Sequence, residues 1–88
     1  MKASRDEIFV RLREILVDSF ELDAGAVTRE AHLLEDLDLD SIDAIDLAVR
    51  LEEETGLKLG DDELRGVRRV DDIVEIVHSK LAGRAVSA

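Results

Sequence analysis

The stretch Glu35-Asp36-Leu37-Asp38-Leu39-Asp40-Ser41-Ile42-Asp43-Ala44-Ile45-Asp46-Leu47 decides how this chain is read, because acidic residues converge there on a single serine where a helical pattern begins. From Ser41 onward Ala44, Leu47, Ala48 and Leu51 share one helical stripe, with Ile42, Ile45 and Val49 beside it. Asp40 is the expected N-cap, since a short side chain with an acceptor oxygen there satisfies a backbone N–H that the helix leaves unpaired. Glu52, Glu53 and Glu54 close the helix with charge, and Gly56 after Thr55 supplies the left-handed conformation that ends it.

Upstream, Ser4 and Glu7 have the spacing of a capping box, and Phe9, Leu12, Leu16 and Phe20 recur at helical spacing, which predicts a helix to about Phe20. Glu21 to Asp40 lacks sustained periodicity yet carries Leu22, Val27, Leu33, Leu34, Leu37 and Leu39, so it is expected to be a long loop packed on the bundle. Downstream, Leu57 to Leu59 lead to Asp61–Leu64, an acidic stretch suited to a helical turn or two. Val70, Ile73, Val74, Val77 and Leu81 then mark a last helix, with Asp71 and Asp72 in its first turn, where carboxylates favour the positive dipole end. The segments form a bundle of three helices plus a short one, with one long crossover. One domain is expected over residues 1–88, ordered over about 4–82 and with a flexible tail over 83–88.

Composition narrows the chemistry. With 88 residues and no cysteine, aliphatic packing must hold the fold without disulfide staples. The two aromatic residues are Phe9 and Phe20. Any thiol chemistry has to be imported, and zero cysteine suits a cytoplasmic chain. No apolar run approaches the roughly 18 residues of a membrane span, and Met1 to Asp6 lack the apolar segment of a secretory signal. A formal charge of -10, from 22 acidic and 12 basic residues, repels nucleic acid and anionic lipid and favours basic protein surfaces.

Three readings compete for the acidic stretch. Asp36, Asp38 and Asp40 reproduce the opening of a calcium-binding loop, but its sixth position needs glycine and its twelfth a bidentate glutamate, and Ser41 and Leu47 stand there. A hydrolytic serine would need His32 or His78 and a carboxylate beside it, yet Ser41 lacks the glycine-flanked elbow and nothing in the sequence brings these residues together. As a mere helix cap Ser41 is redundant, because Asp40 caps better. The hydroxyl is then left at the first helical turn, where an attached phosphate would meet unpaired N–H groups and the positive dipole end.

In this stretch the chain resembles the acyl carrier proteins, whose Asp-Ser-Leu-like motif opening the second helix stands here as Asp40-Ser41-Ile42. The likeness extends from Ser4–Phe20 through the loop with Leu33 and Leu37, Asp40–Leu51, Glu52–Glu54 before Gly56, and Val70–Leu81. It implies an all-α four-helix bundle with a long first loop and a short third helix. It further implies that Ser41 carries 4′-phosphopantetheine, transferred from coenzyme A, and that the protein is a carrier and not an enzyme. Acidic positions matching Asp43, Asp46, Glu52 and Glu53, together with Ile42, are expected to dock a phosphopantetheinyl transferase, ketosynthase, malonyl or acyl transferase, ketoreductase and dehydratase through basic patches. The core around Leu47, Ala48, Leu51, Val74 and Val77 is expected to part and shelter an acyl chain on a monomeric carrier. Thr55 and Arg69 depart from the usual fatty-acid carriers. Glu35–Leu47, Arg50-Leu51-Glu52 and Thr55-Gly56 look more like carriers of bacterial aryl-polyene pigment clusters. A peptidyl or aminoacyl carrier of nonribosomal synthesis, and an acidic interaction module with Ser41 unmodified, stand as alternatives.

Overall fold

Helix α1 spans Arg5–Phe20 and starts where the Ser4 hydroxyl accepts a hydrogen bond from the Glu7 N–H at 3.2 Å. Its inward face carries Ile8, Leu12, Ile15 and Leu16, all buried. Helix α2 spans Ser41–Thr55, α3 spans Asp61–Arg65, and α4 spans Val70–Ser87. The structure is a computed structural model that describes residues 4–87, with the backbone alone for residue 61 and residues 82–87.

The bundle is organised around α1, which packs mainly on α4 and more lightly on α2. Leu12, Leu16, Val70 and Val74 are fully buried, and Leu47, Leu51, Ile73 and Val77 close the core around them. Aliphatic burial of this kind stabilises by about 1.5–3 kcal/mol per large side chain, which is how the chain holds together without covalent staples. Cross-element ion pairs decorate this core: Arg11 with Glu54 at 3.1 Å, Arg29 with Asp71 at 2.9 Å, and Lys80 with Glu63 at 3.0 Å. They are largely solvated, so each adds at most about 1 kcal/mol.

The segment between α1 and α2 is packed down, with Val27, Ala31, Leu33, Leu37 and Leu39 buried. It also holds structure that its lack of periodicity did not reveal. Ala24–Ala26 form a 3₁₀ turn, and His32 and Arg69 make an isolated antiparallel bridge. Around that bridge the Leu33 N–H donates to the Arg68 carbonyl at 2.9 Å and the Val70 N–H donates to the Ala31 carbonyl at 3.0 Å. These bonds join parts of the chain far apart in sequence, so no local pattern announces them. Leu34 is the exception among the loop leucines and is 57% exposed.

Two helix boundaries are informative. At the end of α2 Gly56 takes φ 73°, as its position after the acidic run predicted, and its N–H donates to the Glu52 carbonyl at 2.7 Å. Helix α4 runs through Ser87, past the end near Leu81 that its apolar pattern suggested. Ala82, Gly83, Arg84 and Ala85 contain no proline, and alanine and arginine have high helix propensity, so the backbone can stay helical where the apolar spacing of the sequence has ended. Residue 88 of the expected tail lies outside the described residues.

Candidate functional site: a serine at the mouth of a cleft

Ser41 is the first residue of α2, and the cap beneath it is made without it. The Asp43 N–H donates to the Asp40 carboxylate at 3.0 Å, and the Asp40 N–H donates back to the Asp43 carboxylate at 3.2 Å. The reciprocal pair satisfies two groups that a helix start leaves open. Ser41 is exposed, and among the described residues its hydroxyl enters no side-chain hydrogen bond. An alcohol oxygen so placed, in solvent beside a helix N-terminus, is suited to form a phosphodiester.

The loop before it is shaped by the other acids and by His32. The Asp36 carboxylate accepts from the His32 N–H at 2.6 Å, and His32 Nδ1 accepts from the Glu35 N–H at 3.1 Å. Asp38 takes φ 57°, turning the chain so that the Leu39 N–H reaches the Leu33 carbonyl at 2.8 Å. Asp36 and Asp40 thus direct carboxylate oxygens onto backbone N–H groups, unlike the cation ligands of a calcium loop.

Beside Ser41 lies a cleft of about 750 Å³ between the start of α2, the loop and the α3–α4 connection. Leu33, Leu34, Leu39, Ala44 and Ile45 give it an apolar lining, extended by Leu64 and Val67 from the far wall. His32 lines the same cleft, so the fold brings together a histidine and a serine that the sequence could not connect. The pairing is still unsuited to hydrolysis. A neutral histidine whose Nδ1 accepts a hydrogen bond carries its proton on Nε2, and neither nitrogen is then available as a base toward Ser41. His78 lies on α4 and is not among the residues lining the cleft with Ser41.

The expected docking residues separate into two groups. Asp43 is half-buried and held in the cap, so its carboxylate serves the helix start first. Asp46, Glu52 and Glu53 are exposed, Asp46 lying 3.7 Å from Arg50. Between them runs an apolar stripe in solvent: Ile42, Ile45 and Val49 are 76%, 56% and 50% exposed. At 3.6 residues per turn this stripe lies about 140° around the helix from the Ala44–Leu47–Ala48–Leu51 stripe. The sequence contained the signal, since two apolar stripes that far apart cannot both face one core. Leu34, Leu64, Val67, Arg65 and Arg68 as neighbours of Ser41 had no such signal, because their approach is tertiary.

Residues 10–77 match the family model described as a phosphopantetheine attachment site. The chain is 50% identical over 76 residues to acyl carrier protein 2 of Ralstonia nicotianae, covering 86% of this chain and 94% of that protein. It is 41% identical over 71 residues to polyketide-8 synthase acyl carrier protein 2 of Streptomyces avermitilis, covering 81% and 82%. The crystal structure of an acyl carrier protein from Thermotoga maritima superposes with a TM-score of 0.81 at 34% identity, covering 90% of this chain and 92% of that one. With its helical bundle and its serine at the start of α2, the chain belongs to the acyl carrier proteins, which are carriers of covalently attached 4′-phosphopantetheine and not enzymes.

Proposed function

We propose that Ser41 Oγ is the attachment point for the arm and that the outward face of α2 presents the loaded carrier to its enzymes. The observation that carries this is the division of labour at the helix start: Asp40 and Asp43 cap each other, and the neighbouring hydroxyl stays exposed. When attached, the arm supplies the thiol, absent from this cysteine-free chain, on which acyl groups are held as thioesters. The protein's own part is to fix the anchor, offer a surface for capture and raise the local concentration of tethered cargo at each docked partner.

Family membership implies synthase and transferase partners in general. The finer assignment is to a phosphopantetheinyl transferase, a ketosynthase, a malonyl or acyl transferase, a ketoreductase and a dehydratase of a bacterial fatty-acid or polyketide-type pathway in the cytoplasm. Ile42, Asp46, Glu52 and Glu53 would meet their apolar and basic groups, with Ile45 and Val49 extending the patch. The apolar stripe resists salt, and the carboxylates around it steer encounter, a combination suited to brief visits by many partners. Among the described residues no helix is long and apolar enough to cross a membrane. The relatives include a polyketide synthase carrier, which supports the polyketide-type side of this assignment.

Intact mass after incubation with coenzyme A, magnesium and a broad-specificity transferase tests the anchor. Wild type should gain one phosphopantetheine group and Ser41→Ala none. A folded wild type that gains nothing with several competent transferases overturns the assignment.

A further inference from the structure

We propose that Arg65 and Arg68 form a cationic wall of the Ser41 cleft that receives an oxyanion carried on the Ser41 adduct, a reading that rests on Ser41 being the attachment point. Arg65 ends α3 and Arg68 lies in the connection to α4, and both line the cleft with Ser41. Most other cations have described partners elsewhere. Arg5 pairs with Glu75, Arg11 with Glu54, Arg29 with Asp6 and Asp71, Arg50 with Asp46, and Lys80 with Glu63. Arg69 donates to the Glu30 carbonyl at 2.8 Å, and Arg13 lies over the Phe9 ring. Among the described residues neither Arg65 nor Arg68 has a carboxylate within ion-pair distance, in a chain with 22 acidic residues.

Their placement is built. The Arg68 carbonyl accepts from the Leu33 N–H at 2.9 Å and its N–H donates to the Asp72 carboxylate at 3.0 Å, so its backbone is fixed to the cleft wall while its side chain is exposed. Arg65 sits on a turn of helix anchored at its start, where the Glu63 carboxylate accepts from the Gly60 N–H at 2.9 Å and pairs with Lys80. Among the described residues the one carboxylate lining the cleft, that of Asp40, is occupied by the Asp43 N–H. Guanidinium groups present forked donors that match phosphate and carboxylate, and Leu64 and Val67 line the same wall beside the two arginines. The oxyanion has two sources: the phosphodiester next to Ser41 Oγ, or a carboxylate at the end of a short dicarboxylic acyl group folded back into the cleft.

Four states of the full chain distinguish the sources: unmodified, carrying the arm, acetyl-loaded and malonyl-loaded, each verified by intact mass. The Nε–Hε NMR signals of Arg65 and Arg68 are followed in all four, and the arm's ³¹P signal is compared between wild type and Arg65→Gln/Arg68→Gln. A phosphodiester in the cleft shifts both arginine signals on attachment and displaces the ³¹P signal in the double variant. A cargo carboxylate shifts them only between the acetyl and malonyl states. Arginine signals unchanged across all four states, with the ³¹P signal equal in both proteins, overturn the proposal while leaving the Ser41 assignment standing. Absence of any mass gain overturns both. Circular dichroism of the double variant, whose substituted side chains are exposed, checks that the bundle is intact.

Discussion

Asp40 and Asp43 hold the start of α2 by exchanging hydrogen bonds, each carboxylate accepting from the other's backbone N–H at 3.2 and 3.0 Å. Asp40→Ala should lower stability by about 1 kcal/mol, and Asp40→Asn should keep most of it because an amide oxygen can accept the same bond. Urea unfolding of the two variants checks this; equal losses would mean that charge, and not capping geometry, is what matters at this position.

The two apolar stripes of α2 should respond differently to truncation. Leu47, 2% exposed, should cost about 2–5 kcal/mol as Leu47→Ala, whereas Ile45→Ala, at 56% exposure, should stay within about 0.5 kcal/mol. The same Ile45 variant should slow transfer by partner enzymes. Chemical denaturation and transferase kinetics on both proteins would show whether stability and recognition separate along this helix.

Charge reversal tests steering. Asp46→Lys and Glu52→Lys are each expected to reduce transferase kcat/KM by about tenfold at low salt, with the deficit shrinking as ionic strength rises. Asp43→Lys should in addition destabilise the fold, because that carboxylate belongs to the cap. Rates for the two exposed reversals that match wild type at low salt would remove acidic docking from the account.

Acid sensitivity has a defined sign. The Arg5 guanidinium hydrogen-bonded to Glu75 holds that carboxyl below its ordinary value near 4.5, and the Gly60 N–H, aided by Lys80, does the same for Glu63. Lowered native values mean that the unfolded chain takes up these protons first. The contribution is therefore complete above the ordinary carboxyl range and fades as pH falls through it toward the lower native values. Glu75→Gln and Glu63→Gln should unfold at lower urea than wild type at pH 7, with a smaller gap at a pH below the ordinary carboxyl range. A gap of the same size at both pH values would show that these contacts act through shape alone.

Local chemistry made much of the site readable. Asp40 before Ser41, the glycine after the acidic run, and the aliphatic spacing of α1, α2 and α4 are short-range signals, and each lies where its chemistry requires. Asp43 was harder to place, because a carboxylate three residues beyond a cap serves equally as a docking charge until its hydrogen bond is seen. The end of α4 was blurred for the opposite reason: the aliphatic spacing of the sequence stops at Leu81, while the helical backbone continues to Ser87.

Covalent order alone specifies which hydroxyl stands at a helix start, which residues can be buried and that any thiol must come from outside the chain. Those properties depend on neighbours within a turn or two. The bridge of His32 to Arg69, the choice of which α2 stripe meets the core, and the meeting of Ser41 with Arg65 and Arg68 arise only once the chain is packed. They join residues separated by a whole helix or more, and their positions follow from how α1 and α4 bury their aliphatic faces together, which no local run of residues encodes.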